Sequence, residues 1–160
     1  SLPSRRRWAV FAARPMSASM ACPVRLRALA SSNCPNNTST VITAVEEDEN
    51  DPNYEPLQRN LDRLHVMRLP SGEPLHVLTL PMPPRIEREG QRLPASYANF
   101  YIANEVVVVP TFRDKNDQKA LDILSTCFPT RRVVGIDSTD IIWGLGSFHC
   151  LSQQEPAVTS

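Results

Sequence analysis

The 160-residue sequence lacks a long apolar run. No stretch approaches the roughly 18 to 20 apolar residues that a transmembrane helix needs, so the sequence predicts a soluble protein with no membrane partner. Apolar side chains make up 41% of the chain, which is enough to bury one modest core but not two. We therefore expect one folded unit.

Closely spaced cysteines and histidines are also absent. The four cysteines, at positions 22, 34, 127 and 150, form no Cys-x-x-Cys pair and no cluster with histidine, so the sequence predicts no metal and no cofactor. Four thiols in a chain of this length do not indicate a disulfide framework. We expect reduced thiols and a cytoplasmic location.

Acidic residues are missing from the first forty positions, which hold six of the seventeen basic side chains. Residues 1–38 are rich in Arg, Ser, Ala and Pro and show no apolar periodicity, so we expect them to be poorly ordered. Three explanations are open: an organellar transit peptide, a basic patch for nucleic acid, or sequence that is not part of the folded domain.

From residue 39 onward the pattern is typical of an α/β domain. The β-branched run 40–45 predicts a buried strand. Asp51 as an N-cap acid, Pro52 at the first helical position and leucines at helical spacing predict a helix over about residues 53–67. Ser71-Gly72 marks a turn, and a second strand carries Leu75, Val77 and Leu80.

The second half of this region repeats the order. Residues 81–94, with their prolines and charges, predict an exposed loop. Strands are predicted at 100–103 and 106–109, and the acids of the run 114–117 predict the start of a helix by a capping pattern. Residues 131–136 predict another strand, after which the chain enters a glycine-rich segment.

That segment, Gly144-Leu145-Gly146-Ser147-Phe148-His149-Cys150, continues into paired glutamines and presents Cys150 as a candidate nucleophile. Together with the runs 95–104 (ASYANFYIAN) and 133–137 (VVGID), it resembles the C-terminal part of the agmatine deiminase and bacterial-type peptidylarginine deiminase family. The resemblance begins near Ser39, which favours the third explanation for residues 1–38 and predicts a catalytic-type domain over 39–160.

The resemblance implies a fold as well. The family adopts the pentein fold, an α/β propeller in which five strand-strand-helix-strand units surround a channel, and this chain resembles about two of the five. Each unit of such an assembly buries its apolar flanks against two neighbouring units. A chain with about two units leaves some of these flanks uncovered, so we expect self-association through the uncovered repeat edges.

The same resemblance assigns Cys150 to the position of the family nucleophile, and Gly144 and Gly146 to the glycine-rich, substrate-binding approach to it. Leu145 stands where a further glycine is usual, and Ser147 where asparagine is usual. We expect an extended segment here, on which His149 would face away from Cys150 because adjacent side chains of a strand point to opposite faces. Cys127 is predicted to be a buried, inert thiol.

The reaction implied is hydrolysis of a guanidinium group, converting agmatine to N-carbamoylputrescine and ammonia within putrescine biosynthesis. The thiolate attacks, carboxylates hold the planar cation, and a histidine serves as base. The family's His-x-Asp motif is absent from this sequence, and neither His65 nor His76 has a suitably spaced acidic partner. The acids are explained by caps and solvated loops; they are Asp48, Glu49, Asp51, Asp114, Asp117, Asp137 and Asp140.

Three functional interpretations therefore remain. The first is an agmatine deiminase-like amidine hydrolase for which this chain supplies the nucleophile part, with a small guanidinium compound as partner and no nucleic acid. The second is deimination of peptidyl-arginine. The third is a non-catalytic remnant or interaction module.

Overall fold

The computed structural model describes residues 27–28 and 40–153. The predicted disorder of residues 1–38 therefore lies outside the described residues, apart from the backbone of a two-residue strand at 27–28. No helix in the described ranges has both the length and the apolarity of a bilayer span.

The first sheet has three strands. Strand β1 (Arg27–Ala28) pairs antiparallel with β2 (Thr40–Val45), and β2 pairs parallel with β3 (His76–Pro81) over six residues. Helix α1 (Tyr54–Val66) crosses between the parallel strands and packs on β2. Leu57 and Leu64 form its buried face, as their spacing predicts.

A short hairpin interrupts the segment that the sequence predicts to be an open loop. Strands β4 (Glu87–Arg88) and β5 (Gln91–Arg92) pair antiparallel, and Glu89 and Gly90 between them both have positive φ. Two residues with positive φ are the requirement of a tight primed turn, and the second is glycine. The loop prediction is therefore wrong over residues 87–92.

The second sheet repeats the topology of the first. A 3₁₀ helix (Tyr97–Asn99) leads into β6 (Tyr101–Ile102), which pairs antiparallel with β7 (Val106–Thr111). After α2 (Asn116–Cys127), strand β8 (Arg132–Asp137) pairs parallel with β7, again over six residues. The mixed α/β prediction is confirmed, and each half of the described chain has the order strand, strand, helix, strand.

One apolar core joins the two halves. Buried side chains of both sheets, of α2 and of the 3₁₀ helix belong to the same cluster, which includes Ile42, Leu80, Tyr97, Phe100, Val107, Val109, Leu124 and Phe128. The Phe100 and Phe128 rings meet edge to face with centroids 6.0 Å apart, an arrangement that aromatic pairs prefer. The 3₁₀ helix contacts β2, β3 and β7, so it is fixed from several sides.

The chain after β8 is helical rather than extended. A second 3₁₀ helix (Ile141–Gly144) and a one-turn helix α3 (Phe148–Leu151) follow one another. The prediction of an extended segment around Cys150 is therefore wrong, because these residues form local helical turns instead of pairing with a sheet. The guanidinium of Arg88 lies over the Trp143 ring, so the β4–β5 hairpin packs against this end of the chain.

Candidate functional site

Cys150 lies in α3 and is exposed, whereas Cys127 is buried in the core with 3% of its surface exposed. Only the first can meet a dissolved reactant without local unfolding. The prediction of a buried Cys127 is confirmed.

The helical conformation of residues 148–151 changes the geometry expected around Cys150. The prediction that His149 faces away relied on strand alternation, and it is wrong in its premise, since neighbouring side chains on a helix are about 100° apart. In residues 40–153, no histidine or carboxylate side chain is hydrogen-bonded to the sulfur of Cys150.

The polar partner of Cys150 is Asn99, fifty-one positions earlier in the chain. Its Nδ2 donates to Cys150 Sγ at 3.2 Å, while its Oδ1 accepts from the backbone N–H of His149 at 3.0 Å and of Cys150 at 3.3 Å. One carboxamide thus binds the backbone of α3 and the thiol together. Sequence analysis missed this residue, although it lies in the run 95–104 that carries the family resemblance.

Gly146 is buried beside the thiol. A Cβ atom added at this position would lie 2.6 Å from Cys150 Cβ and 2.9 Å from Sγ, which is closer than real Cβ contacts allow. An added Cβ at Gly144 would meet nothing within 4 Å. Of the two predicted substrate-binding glycines, Gly146 is therefore the one next to Cys150, and their role toward substrate stays a prediction.

Leu145, between these glycines, adopts a left-handed conformation with φ 63° and ψ 26°. This region disfavours a side chain with a Cβ, and it is where glycine is ordinarily placed. The Leu145 side chain is 57% exposed, so packing compensates little for the backbone strain. The presence of leucine where the family usually has glycine therefore strains the backbone at this position.

Ser147 is buried immediately before α3. Its hydroxyl lies 2.6 Å from that of Ser138, which is also buried and follows β8 directly. This bond joins the start of the Cys150 helix to the end of the sheet. Between them, Asn99 and Ser138 anchor α3 to two separate parts of the fold.

Asp114, Asp117 and Asp137 bind backbone or side-chain groups close to them in the fold. Asp114 Oδ1 accepts from Asn116 N at 2.9 Å, and Asp117 Oδ2 accepts from Asp114 N at 3.1 Å, so both acids bind backbone N–H groups before α2. The N-cap position itself is Lys115, so the prediction that Asp114 caps the helix is wrong by one position. Asp137 accepts from the hydroxyl and backbone N–H of Thr139, and with Arg113 these bonds lower its pKa to about 2. None of these carboxylates is hydrogen-bonded to Cys150.

Asp51 is part of an ion pair rather than a simple cap. It accepts from Asn53 N at 2.8 Å and from Arg92 Nη1, and α1 begins only at Tyr54. The prediction that Asp51 is the N-cap is wrong by two positions, because the chain makes a turn around Pro52 before the helix starts. The predicted capping acid instead connects the loop after β2 to the hairpin.

An open cleft of about 480 Å³ lies at the carboxyl ends of β2 and β3, beside the start of α2. Its lining has mixed charge and comprises residues 46, 48, 50, 51, 82–85 and 114–116. Across residues 40–153, no three His, Cys, Asp or Glu side chains form a group that could hold a metal ion.

Comparison with known proteins extends these observations. The model of the Porphyromonas-type peptidyl-arginine deiminase family matches residues 33–156. A Legionella pneumophila (strain Paris) protein named "Putative agmatine deiminase" is 36% identical over 117 residues, covering 72% of this chain and 34% of the relative. The chain thus spans about a third of the length of the curated relatives it matches.

Solved deiminase structures are similar to this chain in fold. A deiminase from Porphyromonas gingivalis described as a putative arginine deiminase superposes with a TM-score of 0.72 at 38% identity, over 75% of this chain and 35% of that one. The Enterococcus faecalis agmatine deiminase gives 0.70 at 32% identity, over 75% and 38%. A C. jejuni agmatine deiminase with substrate bound gives 0.63 at 34% identity, over 71% and 32%.

The family match begins at residue 33, within the segment predicted to lie outside the domain, and it ends beyond Cys150. It includes both sheets from β2 onward, Asn99 and the glycine-rich approach to the thiol. On this match and on the similarity of its fold to solved deiminases, the chain belongs to the Porphyromonas-type peptidyl-arginine deiminase family.

Proposed function

We propose that this chain supplies the nucleophile part of an amidine hydrolase that converts agmatine and water to N-carbamoylputrescine and ammonia. The observation that carries the proposal is an exposed Cys150 whose sulfur accepts a hydrogen bond from Asn99 and lies against the buried backbone of Gly146. The C. jejuni and E. faecalis relatives that are named as agmatine deiminases support the choice of substrate.

In the proposed reaction the Cys150 thiolate forms a bond to the central guanidinium carbon. Breaking one C–N bond releases ammonia after protonation of the leaving nitrogen, which leaves an amidino-thioether on the sulfur. Water then adds to the same carbon, the C–S bond breaks, and the ureido product departs with the thiolate restored. An accessible thiolate is required in the first step, and an acid and a base are required in both.

Residues 40–153 supply the nucleophile in this scheme but not the other groups. The Cys150 sulfur has an amide as its polar partner, and the sequence contains no His-x-Asp motif. Asp51 and Asp137 are engaged in ion pairs, and Asp114 in a turn before α2. We therefore propose that the base and the guanidinium-binding carboxylates belong to the part of the relatives' length that this chain does not span. General acid–base catalysis alone is worth roughly 10² to 10⁴ in rate, so we expect negligible turnover by this chain by itself.

Deimination of peptidyl-arginine is the second candidate. The description of the matching family favours it. Self-association, absence of nucleic acid binding and cytoplasmic location remain predictions from the sequence. Sedimentation velocity at several protein concentrations measures the first of these.

The experiment is a ureido-product assay with agmatine and, separately, with a blocked arginine peptide. It uses the 160-residue chain alone and the chain mixed with an N-terminal part of a relative such as the E. faecalis enzyme, each with a Cys150→Ala control. We expect product only in the mixture and only with Cys150 present. Turnover by the chain alone that disappears in Cys150→Ala would contradict the proposal that the base and the carboxylates lie outside this chain. Turnover that persists in Cys150→Ala would contradict the assignment of Cys150 as the nucleophile.

A further inference from the structure

We propose that the β4–β5 hairpin is a strap that holds the approach to Cys150 in place, with the contact of Arg88 on Trp143 as its clasp. We call residues 143–146 the approach loop; they lead from the second 3₁₀ helix toward α3. When the clasp opens, the approach loop moves away from the thiol, and reactants larger than a small molecule reach it. This inference concerns access to Cys150, so it holds whichever reaction the thiol performs.

The base of the hairpin is fixed to the first half of the described chain. Arg92 is hydrogen-bonded to both carboxylate oxygens of Asp51, and both side chains are largely buried. Leu93 N donates to Ile86 O at 2.8 Å, and these two side chains pack in the apolar core. Because these contacts are buried, the base stays in place when the tip moves.

The tip of the hairpin contacts the second half of the described chain. The guanidinium of Arg88 lies over the Trp143 ring, and a cation in this position is attracted by the electron-rich face of the indole. The turn residues Glu89 and Gly90 that follow Arg88 are exposed, as is 38% of Trp143. The clasp is therefore a surface contact, which opens without disturbing the core.

The approach loop is anchored at its two ends. Ile142, immediately before it, is fully buried, and Gly146 at its far end is buried beside Cys150. Between them, residues 143–145 are exposed, and a Cβ atom added at Gly144 would meet nothing within 4 Å. Among residues 40–153, no side chain of this stretch makes a hydrogen bond or an ion pair, so the Arg88 contact is what restrains it from outside.

Leu145 favours movement of the approach loop once the clasp is open. Its left-handed conformation disfavours a residue with a Cβ, so leaving that conformation releases strain. Its neighbour Gly146 lies so close to the thiol that an added Cβ atom would be 2.9 Å from Cys150 Sγ. Movement of Leu145 therefore uncovers the side of the sulfur that Gly146 covers.

The clasp lies close enough to Cys150 to limit the size of a reactant. Three residues span at most about 11 Å, so the Cα atoms of Trp143 and Gly146 are no farther apart than that. A polypeptide that is bound at Cys150 and runs along the approach loop meets the hairpin within about three or four residues. A small molecule bound at the thiol does not extend that far.

Arg88→Ala removes the clasp and leaves the base of the hairpin intact. We expect hydrogen exchange at the Leu145 amide, which donates to Ile142 O at 2.9 Å, to be about two to five times faster, as the loss of a cation–π contact at an exposed site predicts. Amides of α1 and α2 should exchange at the unmodified rate. The matched control is Arg131→Ala, which removes a guanidinium over the Phe128 ring outside the strap and should leave the Leu145 amide unchanged.

Alkylation tests the consequence for the thiol. Modification of the Cys150 peptide is followed by mass spectrometry with iodoacetamide and, separately, with a maleimide coupled to a short peptide. In Arg88→Ala the peptide maleimide should gain by about two- to fivefold relative to iodoacetamide, because it requires the open loop. An unchanged ratio overturns the proposal. Exchange that accelerates equally at Leu145 and throughout α1 and α2 also overturns it, since Arg88 would then stabilise the whole fold.

A third measurement needs no substitution at Arg88. In the NMR spectrum of the unmodified chain, the ring current of Trp143 should shift the Arg88 side-chain protons upfield, and Trp143→Leu should return them to ordinary positions. Arg88 protons at ordinary positions in the unmodified chain overturn the proposal even if Arg88→Ala fails to fold. Because none of these readouts involves a deiminase substrate, the strap is tested independently of whether agmatine is turned over.

Discussion

Arg92 Nη1 lies 2.6 Å from Oδ1 and 2.9 Å from Oδ2 of Asp51, joining residues 41 positions apart. Both side chains are largely buried, with 10% of Asp51 and 21% of Arg92 exposed. The pair fastens the β4–β5 hairpin to the loop between β2 and α1. Burial raises the pKa of Asp51, but the bonds from Arg92 and Asn53 and the charges of Arg92 and Arg85 outweigh it, so the pKa lies below its ordinary value.

Stability should therefore depend on pH through Asp51. Because the folded-state pKa is depressed, its contribution is fully present above the unfolded-state pKa of about 3.9 and is lost as pH falls through the folded-state value. We expect Asp51→Asn to lower the free energy of unfolding by about 2 kcal/mol near pH 7, and the difference from the unmodified chain to shrink below pH 4. Urea denaturation at several pH values measures this. The exposed Asp62→Asn on α1 is the control, and a difference that stays constant to low pH would contradict the assignment.

Leu145→Gly should stabilise the protein. The left-handed conformation costs a residue with a Cβ about 1 to 2 kcal/mol, and glycine removes this cost. Glycine also loses more chain entropy on folding, which destabilises the folded state by about 0.5 to 1 kcal/mol, so we expect the free energy of unfolding to rise by about 0.5 to 1 kcal/mol in total. Leu145→Ala removes the same exposed side chain but keeps the strain, and it should show no such gain. Thermal and urea unfolding distinguish the two, and equal stability of both variants would argue against strain at this position.

Gly146→Ala should displace Cys150. The new methyl group would lie 2.6 Å from Cys150 Cβ and 2.9 Å from Sγ, and such overpacking typically costs about 1 to 3 kcal/mol. We expect a lower melting temperature and a changed rate of Cys150 alkylation. Gly144→Ala is the matched control, because its methyl group would enter open space, and it should melt within the error of the unmodified chain.

Tyr97→Phe should destabilise the core without changing its shape. The Tyr97 hydroxyl donates to Asp117 Oδ1 at 2.7 Å, and the side chain is fully buried. Burial and the neighbouring Asp117 carboxylate raise the pKa of Tyr97 well above its ordinary value, so the hydroxyl remains a donor. We expect a loss of about 1 to 2 kcal/mol in urea denaturation. Tyr101→Phe, at a half-buried position in β6, is the comparison, and an equal loss there would show that the Asp117 bond is not the cause.

The regular elements could be predicted because their signals are local. The β-branched run at 40–45 and the leucine spacing that includes Leu57 and Leu64 correspond to β2 and α1 within one or two residues. The acids Asp114 and Asp117 place the start of α2 to within one residue, since they bond to backbone groups two or three positions away. Glu89-Gly90 was missed as a turn because the glutamate has a positive φ that its residue type does not favour.

The candidate site was predicted in part. The glycine-rich approach identifies Cys150, but the sequence does not predict its short helix, because four residues carry no helical period. Asn99 was missed because its bonds to His149 and Cys150 join positions fifty residues apart, and no local pattern encodes such a pairing. The N-cap assigned to Asp51 failed for the same reason, since Arg92 is its distant partner.

The hydrogen bonds of the Asn99 carboxamide couple the unfolding of the first 3₁₀ helix to that of α3. Opening the 3₁₀ helix around Tyr97 would release α3, and releasing α3 would remove the donor from the sulfur, so the two segments should lose protection together. Hydrogen exchange at the His149 and Cys150 amides should then occur with the free energy of the larger unit, rather than with the low value of an ordinary chain end.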